Sequence, residues 1–86
     1  KTALVTTASK KNTLEILEYT KTKDCFDLIL TAEDVKKTKP DPEGFNLAIN
    51  RFNILPKDTI IFEDSEVGIE AARKTGAAVM VVDKMV

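Results

Sequence analysis

The sequence contains no histidine and no tryptophan, and its single cysteine is Cys25. Because imidazole is absent, any general base or metal ligand in the chain has to be a carboxylate, a hydroxyl or a lysine. A lone cysteine cannot form an internal disulfide, and no cysteine cluster indicates zinc, so a reducing, cytoplasmic location is expected. The longest apolar run, residues 77–82, is far too short to span a bilayer.

The charge balance excludes two classes of partner. The 13 basic and 14 acidic residues are intermixed and give a net charge of -1, which provides no field for nucleic acid or acidic membranes. The 86 residues suffice for one small domain or a piece of a larger one, and their 43% hydrophobic content is ordinary for a globular protein. The first residue, Lys1, is not an initiator methionine, so we expect the chain to begin inside a longer protein.

The apolar pattern alternates between strand-like and helix-like segments. Short apolar strands without polar alternation are typical of a parallel sheet covered on both faces, so the pattern predicts an α/β layer structure. No internal repeat or second-domain linker is evident, and residues 1–86 are interpreted as one unit. The predicted strands are residues 3–5, 26–30, 59–62 and 77–82, and the predicted helices are residues 9–21, 42–52 and 66–74.

Adjacent carboxylates follow the third predicted strand. Residues 60–62 are large and apolar and are interpreted as a buried strand, and Glu63 and Asp64 come directly after them. Ligands bind beyond the carboxyl ends of strands in open α/β sheets, and a hard divalent cation would neutralise the two charges there. The alternative at this point is that Asp64 or Ser65 simply caps the next helix.

Polar residues also follow the other strands at the same sheet edge. Thr6 and Thr7 follow the first strand, Thr31 follows the second, and Lys39 lies in a loop fixed by Pro40. Hydroxyls, one ammonium group and a carboxylate pair are what a magnesium-assisted phosphoryl site requires. Taken singly, Thr6 could merely end a strand, and Lys39 could be one more surface lysine of its loop.

These motifs together resemble the C-terminal part of the core of haloacid dehalogenase-like hydrolases. The resemblance covers essentially the whole chain and is greatest to the branch of phosphoglycolate phosphatase and beta-phosphoglucomutase. It implies that Thr6, with the amides of Thr7 and Ala8, binds the phosphoryl group, and that Lys39 stabilises its charge. It further implies that Asp64, with Glu63 directly or through water, holds Mg²⁺. The segments that carry the resemblance are residues 3–7, 39–42, 62–65 and 68–72, with Gly76.

The chain departs from the family at its beginning. The family's first strand carries Asp-x-Asp, whose first Asp attacks phosphorus, and neither that motif nor a helical cap domain is found in this sequence. The resemblance therefore implies an incomplete three-layer, Rossmann-like sheet that lacks its central strand, and residues 1–86 would be a partial core with motifs two to four.

The absent central strand has consequences for strand pairing. Strand 3–5 should pair with residues 28–30, and strand 60–62 with residues 79–82. The pairs would be about 10 Å apart, roughly twice the usual strand spacing. The missing N-terminal part of the same protein is the expected partner, and the isolated segment is expected to be inactive and unstable as a monomer.

For the whole protein, the resemblance implies a Mg²⁺-dependent phosphatase or phosphomutase that acts on a small phosphorylated metabolite through an aspartyl-phosphate. The alternatives are a non-catalytic, receiver-like signalling or binding module and a regulatory pseudo-phosphatase. Receiver domains carry their acidic pair after the first strand, whereas here the acids follow the third. The sequence does not distinguish hydrolysis from mutase transfer.

Overall fold

The computed structural model describes residues 1–82, and residues 83–86 of the predicted unit lie outside that range. Strands and helices alternate along the chain, which confirms the predicted order. Within residues 1–82, none of the helices is both long and apolar enough to cross a membrane. The strands are β1 (Ala3–Val5), β2 (Leu28–Leu30), β3 (Ile60–Glu63) and β4 (Ala78–Val81), and the helices are α1 (Lys10–Thr20), α2 (Glu43–Arg51) and α3 (Glu66–Arg73).

The strands form two separate parallel pairs. Strand β1 pairs with β2, with Val5 opposite Leu30, and β3 pairs with β4, with Ile61 opposite Val79. The predicted pairing is therefore confirmed. Because both pairs are parallel, a helix connects the two strands of each pair, as a parallel connection requires.

Helices α2 and α3 supply the main core. Phe45 from α2 and Ala71 and Ala72 from α3 pack around Ile61 of β3, and all four side chains are buried. Val5 of β1 joins the same cluster, so the core contains residues of both strand pairs. The small side chains of Ala71 and Ala72, which are fully buried, allow α3 to lie close to the strands.

The prediction that the sheet is covered on both faces is wrong for β3 in this part of the chain. Only Ile61 of the apolar run is buried, whereas Ile60 is 60% and Phe62 is 65% exposed. Successive side chains of a strand point to opposite faces, so the cluster around Ile61 covers one face. Within residues 1–82 no element covers Ile60 and Phe62 to the same extent.

Several predicted boundaries shift by one or two residues. Strand β2 begins at Leu28, because Lys23–Cys25 form a 3₁₀ turn and the amide of the next residue, Phe26, still donates to the Lys23 carbonyl. Strand β3 extends through Glu63, which places the first of the paired carboxylates inside the strand. Ser9 caps α1 by accepting a hydrogen bond from the Asn12 amide.

Candidate active site

Lys39 joins the two strand pairs at their carboxyl ends. Its ammonium Nζ donates to the carbonyl oxygen of Val5, at the end of β1, over 2.9 Å. The same atom lies 3.2 Å from Oε2 of Glu63, at the end of β3. It also lies 4.9 Å from the centre of the Phe45 ring, close enough for a cation–π contact. The Lys39 side chain is only 14% exposed, so it is largely buried at the site and is not a surface lysine.

The loop around Lys39 is fixed by carboxylates and by a distant lysine. Glu43, in the first turn of α2, accepts hydrogen bonds from the amides of Lys36 and Lys37. Asp41 accepts from the Glu43 amide, and Lys74 Nζ, just after α3, donates to the Pro40 carbonyl over 3.2 Å. These contacts hold the backbone on both sides of Lys39, which lowers the entropic cost of placing its charge.

Glu63 is engaged at both carboxylate oxygens. Oε2 holds Lys39, while Oε1 accepts from the Asp64 amide at 3.1 Å and from the Ser65 amide and hydroxyl. Partial burial raises the pKa of Glu63, but the charge of Lys39 and the hydrogen bonds from Lys39, Asp64 and Ser65 outweigh burial and lower it below its ordinary value. Glu63 is therefore an ionised partner of Lys39, a role that the sequence did not predict.

The predicted phosphate-binding residues gather beside Lys39. Thr6, Thr7, Thr31 and Lys39 line a common cavity of about 10 Å³, too small for more than one water molecule. A phosphate would therefore lie above this cavity and not inside it. The Ala8 amide donates to the Thr6 hydroxyl at 3.1 Å, so it contacts the threonine that was predicted to share phosphate binding with it.

Asp64 and Ser65 differ in their roles. Ser65 caps α3 by accepting a hydrogen bond from the Gly68 amide at 3.1 Å, which confirms the capping interpretation. Asp64 is exposed, and its carboxylate makes no hydrogen bond or ion pair within residues 1–82. In that range no three acidic or cysteine side chains gather into a metal-binding group. Asp64 fits a hard cation as one ligand, whereas Glu63 fits less well because it already neutralises an ammonium group.

A larger concavity lies elsewhere, on the flank of α3 and β4. Its lining includes Glu66, Ile69, Arg73 and Val81, and its volume is about 670 Å³. None of the predicted site residues lines it. It is an open surface between a helix and a strand, so the convergence of Lys39, Thr6 and Glu63 locates the candidate site better than volume does.

The comparison with family models decides the family. The model of haloacid dehalogenase-like hydrolases matches residues 1–82, nearly the whole chain. The chain belongs to the haloacid dehalogenase-like hydrolases. Its relatives place it in the branch of phosphoglycolate phosphatases and beta-phosphoglucomutases, as predicted.

Two curated relatives of this chain are phosphatases. It is 38% identical over 76 residues to a phosphorylated carbohydrates phosphatase of Thermotoga maritima, which covers 88% of the chain and 35% of the relative. It is 35% identical over 80 residues to a phosphoglycolate phosphatase of Nitrosospira multiformis, covering 93% of the chain and 35% of that relative. The chain thus spans about a third of the length of these relatives.

A solved structure shows the same fold. The chain superimposes on a Thermotoga maritima protein assigned as a beta-phosphoglucomutase with a TM-score of 0.91 and 34% identity. The match covers 98% of the chain and 39% of that structure. The two strand pairs and three helices of this family member are therefore a Rossmann-like fragment of the haloacid dehalogenase fold.

Proposed function

We propose that the whole protein is a Mg²⁺-dependent phosphotransferase, a phosphatase or a phosphomutase, acting on small phosphorylated metabolites such as sugar phosphates or phosphoglycolate. The observation that carries this proposal is the placement of the Lys39 ammonium at the junction of the strand pairs, beside Thr6 and Thr7. The names of the curated relatives, which act on phosphorylated carbohydrates and on phosphoglycolate, support the substrate class.

Lys39 would neutralise charge on the phosphoryl group during transfer. Two of its three ammonium protons serve Val5 and Glu63, so one further donor remains for a phosphate oxygen. A donor held in advance at the position where charge develops needs no reorganisation during the reaction. The hydroxyl of Thr6 and the amides of Thr7 and Ala8 would orient the phosphate, with the Ala8 amide exchanging its contact to Thr6.

Asp64 would hold the magnesium ion, with Glu63 contributing through water. When bound, Mg²⁺ would offset negative charge on the phosphoryl oxygens. The exposed carboxylate of Asp64 lies next to Glu63 at the end of β3, on the edge of the fold where Lys39 is held. Two carboxylates do not complete a magnesium shell, so further oxygen ligands would come from outside residues 1–82.

The nucleophile would come from the missing N-terminal part of the same protein. The inner edges of β1 and β3 have no strand partner within residues 1–82, and a parallel strand between them would satisfy both. An aspartate at its carboxyl end would attack phosphorus, taking the phosphoryl group as an aspartyl-phosphate while the substrate oxygen leaves. Water or a sugar hydroxyl would then accept that group. Residues 1–86 are in this proposal a partial core, inactive alone.

Replacing Asp64 with Asn in the whole protein tests the metal assignment. Asn keeps the shape but removes the charge, so we expect Mg²⁺-dependent hydrolysis of p-nitrophenyl phosphate to fall by about 100-fold. Asp58→Asn provides a matched control, because this exposed aspartate precedes β3, at the end of the strand away from Lys39, and its carboxylate makes no hydrogen bond within residues 1–82. Unchanged hydrolysis by Asp64→Asn would contradict the metal assignment. Phosphate binding by a wild-type protein that hydrolyses nothing would instead favour a regulatory pseudo-phosphatase.

A further inference from the structure

Gly68 lies in the first turn of α3, where glycine is a poorer helix former than alanine. The residue is buried, and its φ is not in the left-handed region, so backbone conformation does not explain its presence. Space does explain it. A Cβ built on Gly68 would overlap three atoms of the Glu63 side chain, namely Cγ, Cδ and Oε2. The Glu63 side chain thus occupies the space that a side chain on Gly68 would need.

The same helical turn also holds the other end of that carboxylate. The Gly68 amide donates to Ser65 Oγ at 3.1 Å, and Ser65 Oγ contacts Glu63 Oε1 at 3.3 Å. Glu63 Oε2, directly over Gly68, is the atom that holds Lys39 at 3.2 Å. The first turn of α3 therefore fixes Glu63, and Glu63 fixes the ammonium group of Lys39.

We propose that Gly68 is a positioning residue for Lys39. Because Gly68 has no side chain, the Glu63 carboxylate can pack against its backbone, and Glu63 in turn orients the lysine towards the phosphoryl group. This inference rests on the proposed function for the task of Lys39. It also gives Glu63 a definite role as the carboxylate that orients the lysine.

An added methyl group at this position would displace a side chain and leave the fold intact. The atoms in the way belong to the Glu63 side chain and not to the backbone, and because Cγ is one of them the whole side chain has to adopt another rotamer. Alanine is also the better helix former, which favours α3 itself. Gly68→Ala should therefore yield a folded protein in which Lys39 has lost its carboxylate partner.

The test is a double-mutant cycle in the whole protein, with Gly68→Ala, Glu63→Ala and the combined variant. The first measurement is the inhibition constant of inorganic phosphate against hydrolysis of p-nitrophenyl phosphate, which does not depend on the fraction of protein that is folded. The second is the thermal unfolding midpoint of each variant. Val67→Ala, on the half-exposed side of the same turn, is the control for a small change in α3.

We expect Gly68→Ala to raise the phosphate inhibition constant about tenfold, the order that a misplaced charged donor costs. In the Glu63→Ala background, where the space is already empty, it should change that constant by less than about twofold. Val67→Ala should leave it unchanged. The unfolding midpoints should likewise be non-additive, because the clash exists only when both side chains are present.

Two results would overturn the inference: a Gly68→Ala inhibition constant equal to that of wild type, or the same increase with and without the Glu63 side chain. Failure of the proposed function gives a different result, namely a wild-type protein that neither hydrolyses a phosphomonoester nor binds phosphate. In that case the unfolding midpoints still decide whether Gly68 seats Glu63, and additive midpoints would contradict it.

Discussion

The two strand pairs differ in how completely this chain surrounds them. Leu30 and Thr31, at the end of β2, are each only 2% exposed. In the other pair, Phe62 of β3 is 65% and Met80 of β4 is 53% exposed, and the two lie opposite each other in the register. The first pair finds its neighbours within residues 1–82, whereas the second presents an apolar face that needs a cover.

Lys39 lies where the complete pair, β1 with β2, meets the open pair, β3 with β4. Its bond to Val5 belongs to the complete pair, and its bond to Glu63 belongs to the open pair. The shared cluster of Phe45, Ile61 and Val5 makes the same connection through apolar contacts. The site therefore depends on both pairs keeping their relative position, and the predictions below test each pair in turn.

The largest effect is expected on the open face. If the remainder of the protein covers β3, Phe62→Ala in the whole protein should lower the free energy of unfolding by about 3–5 kcal/mol, the cost of truncating a buried phenylalanine. The denaturant midpoint measures this effect. Tyr19→Ala, which truncates an aromatic ring that is 89% exposed on α1, is the matched control.

A change of less than about 0.5 kcal/mol for Phe62→Ala would mean that this face stays exposed in the whole protein. The expectation that the remainder of the protein covers this face of β3 would then be wrong. The exposed apolar face of β3 and β4 would instead be a surface with another role.

A slightly smaller effect is expected in the complete pair. Leu30→Ala should lower the free energy of unfolding by about 2–5 kcal/mol, because a fully packed leucine leaves a cavity when it is truncated. Since its neighbours are supplied by this chain, the cost should be independent of what covers β3. A double variant with Phe62→Ala should accordingly be additive, and a coupling above about 0.5 kcal/mol would show that the packing of Leu30 depends on what covers β3.

The fold was largely predictable because its signals are local. The i, i+3, i+4 spacing of Phe45, Ala48 and Ile49 predicts α2, and all three are buried as the pattern requires. The pairing of the strands, by contrast, came from the family resemblance. The prediction of burial was wrong for Ile60 and Phe62, because an apolar run indicates burial without saying which part of the protein covers it.

The sequence predicted which residue types meet at the candidate site but not which of them contact each other. The sequence gathers Lys39, Thr6 and Glu63 at one sheet edge, and the structure does bring these residues to the carboxyl ends of β1 and β3. The sequence could not show that Glu63 pairs with Lys39, because the contact joins residues 24 positions apart. Gly68, inside the predicted helix 66–74, was a local signal of close packing, since a glycine within a helix can have a packing reason.

The complete pair also contains a carboxylate whose ionisation matters. Glu33, in the turn after β2, accepts a hydrogen bond from the Thr31 hydroxyl at 2.8 Å and one from the Lys10 amide at 2.7 Å. The first of these bonds, and then the second, lower the pKa of Glu33 below its ordinary value, against a smaller opposing effect of burial. Glu33 thereby ties the end of β2 to the start of α1.

The smallest effect is therefore expected from Glu33→Gln, and it should depend on pH. A folded-state pKa below the unfolded value of about 4.3 means that ionised Glu33 stabilises the fold above that pH. This contribution is lost as the pH falls through the folded-state pKa. The variant should consequently be less stable than wild type at pH 7, with a difference that shrinks as the pH is lowered below about 4.3 in urea unfolding. An equal difference at neutral and at acid pH would show that Gln disturbs packing and that the charge of Glu33 contributes nothing to the complete pair.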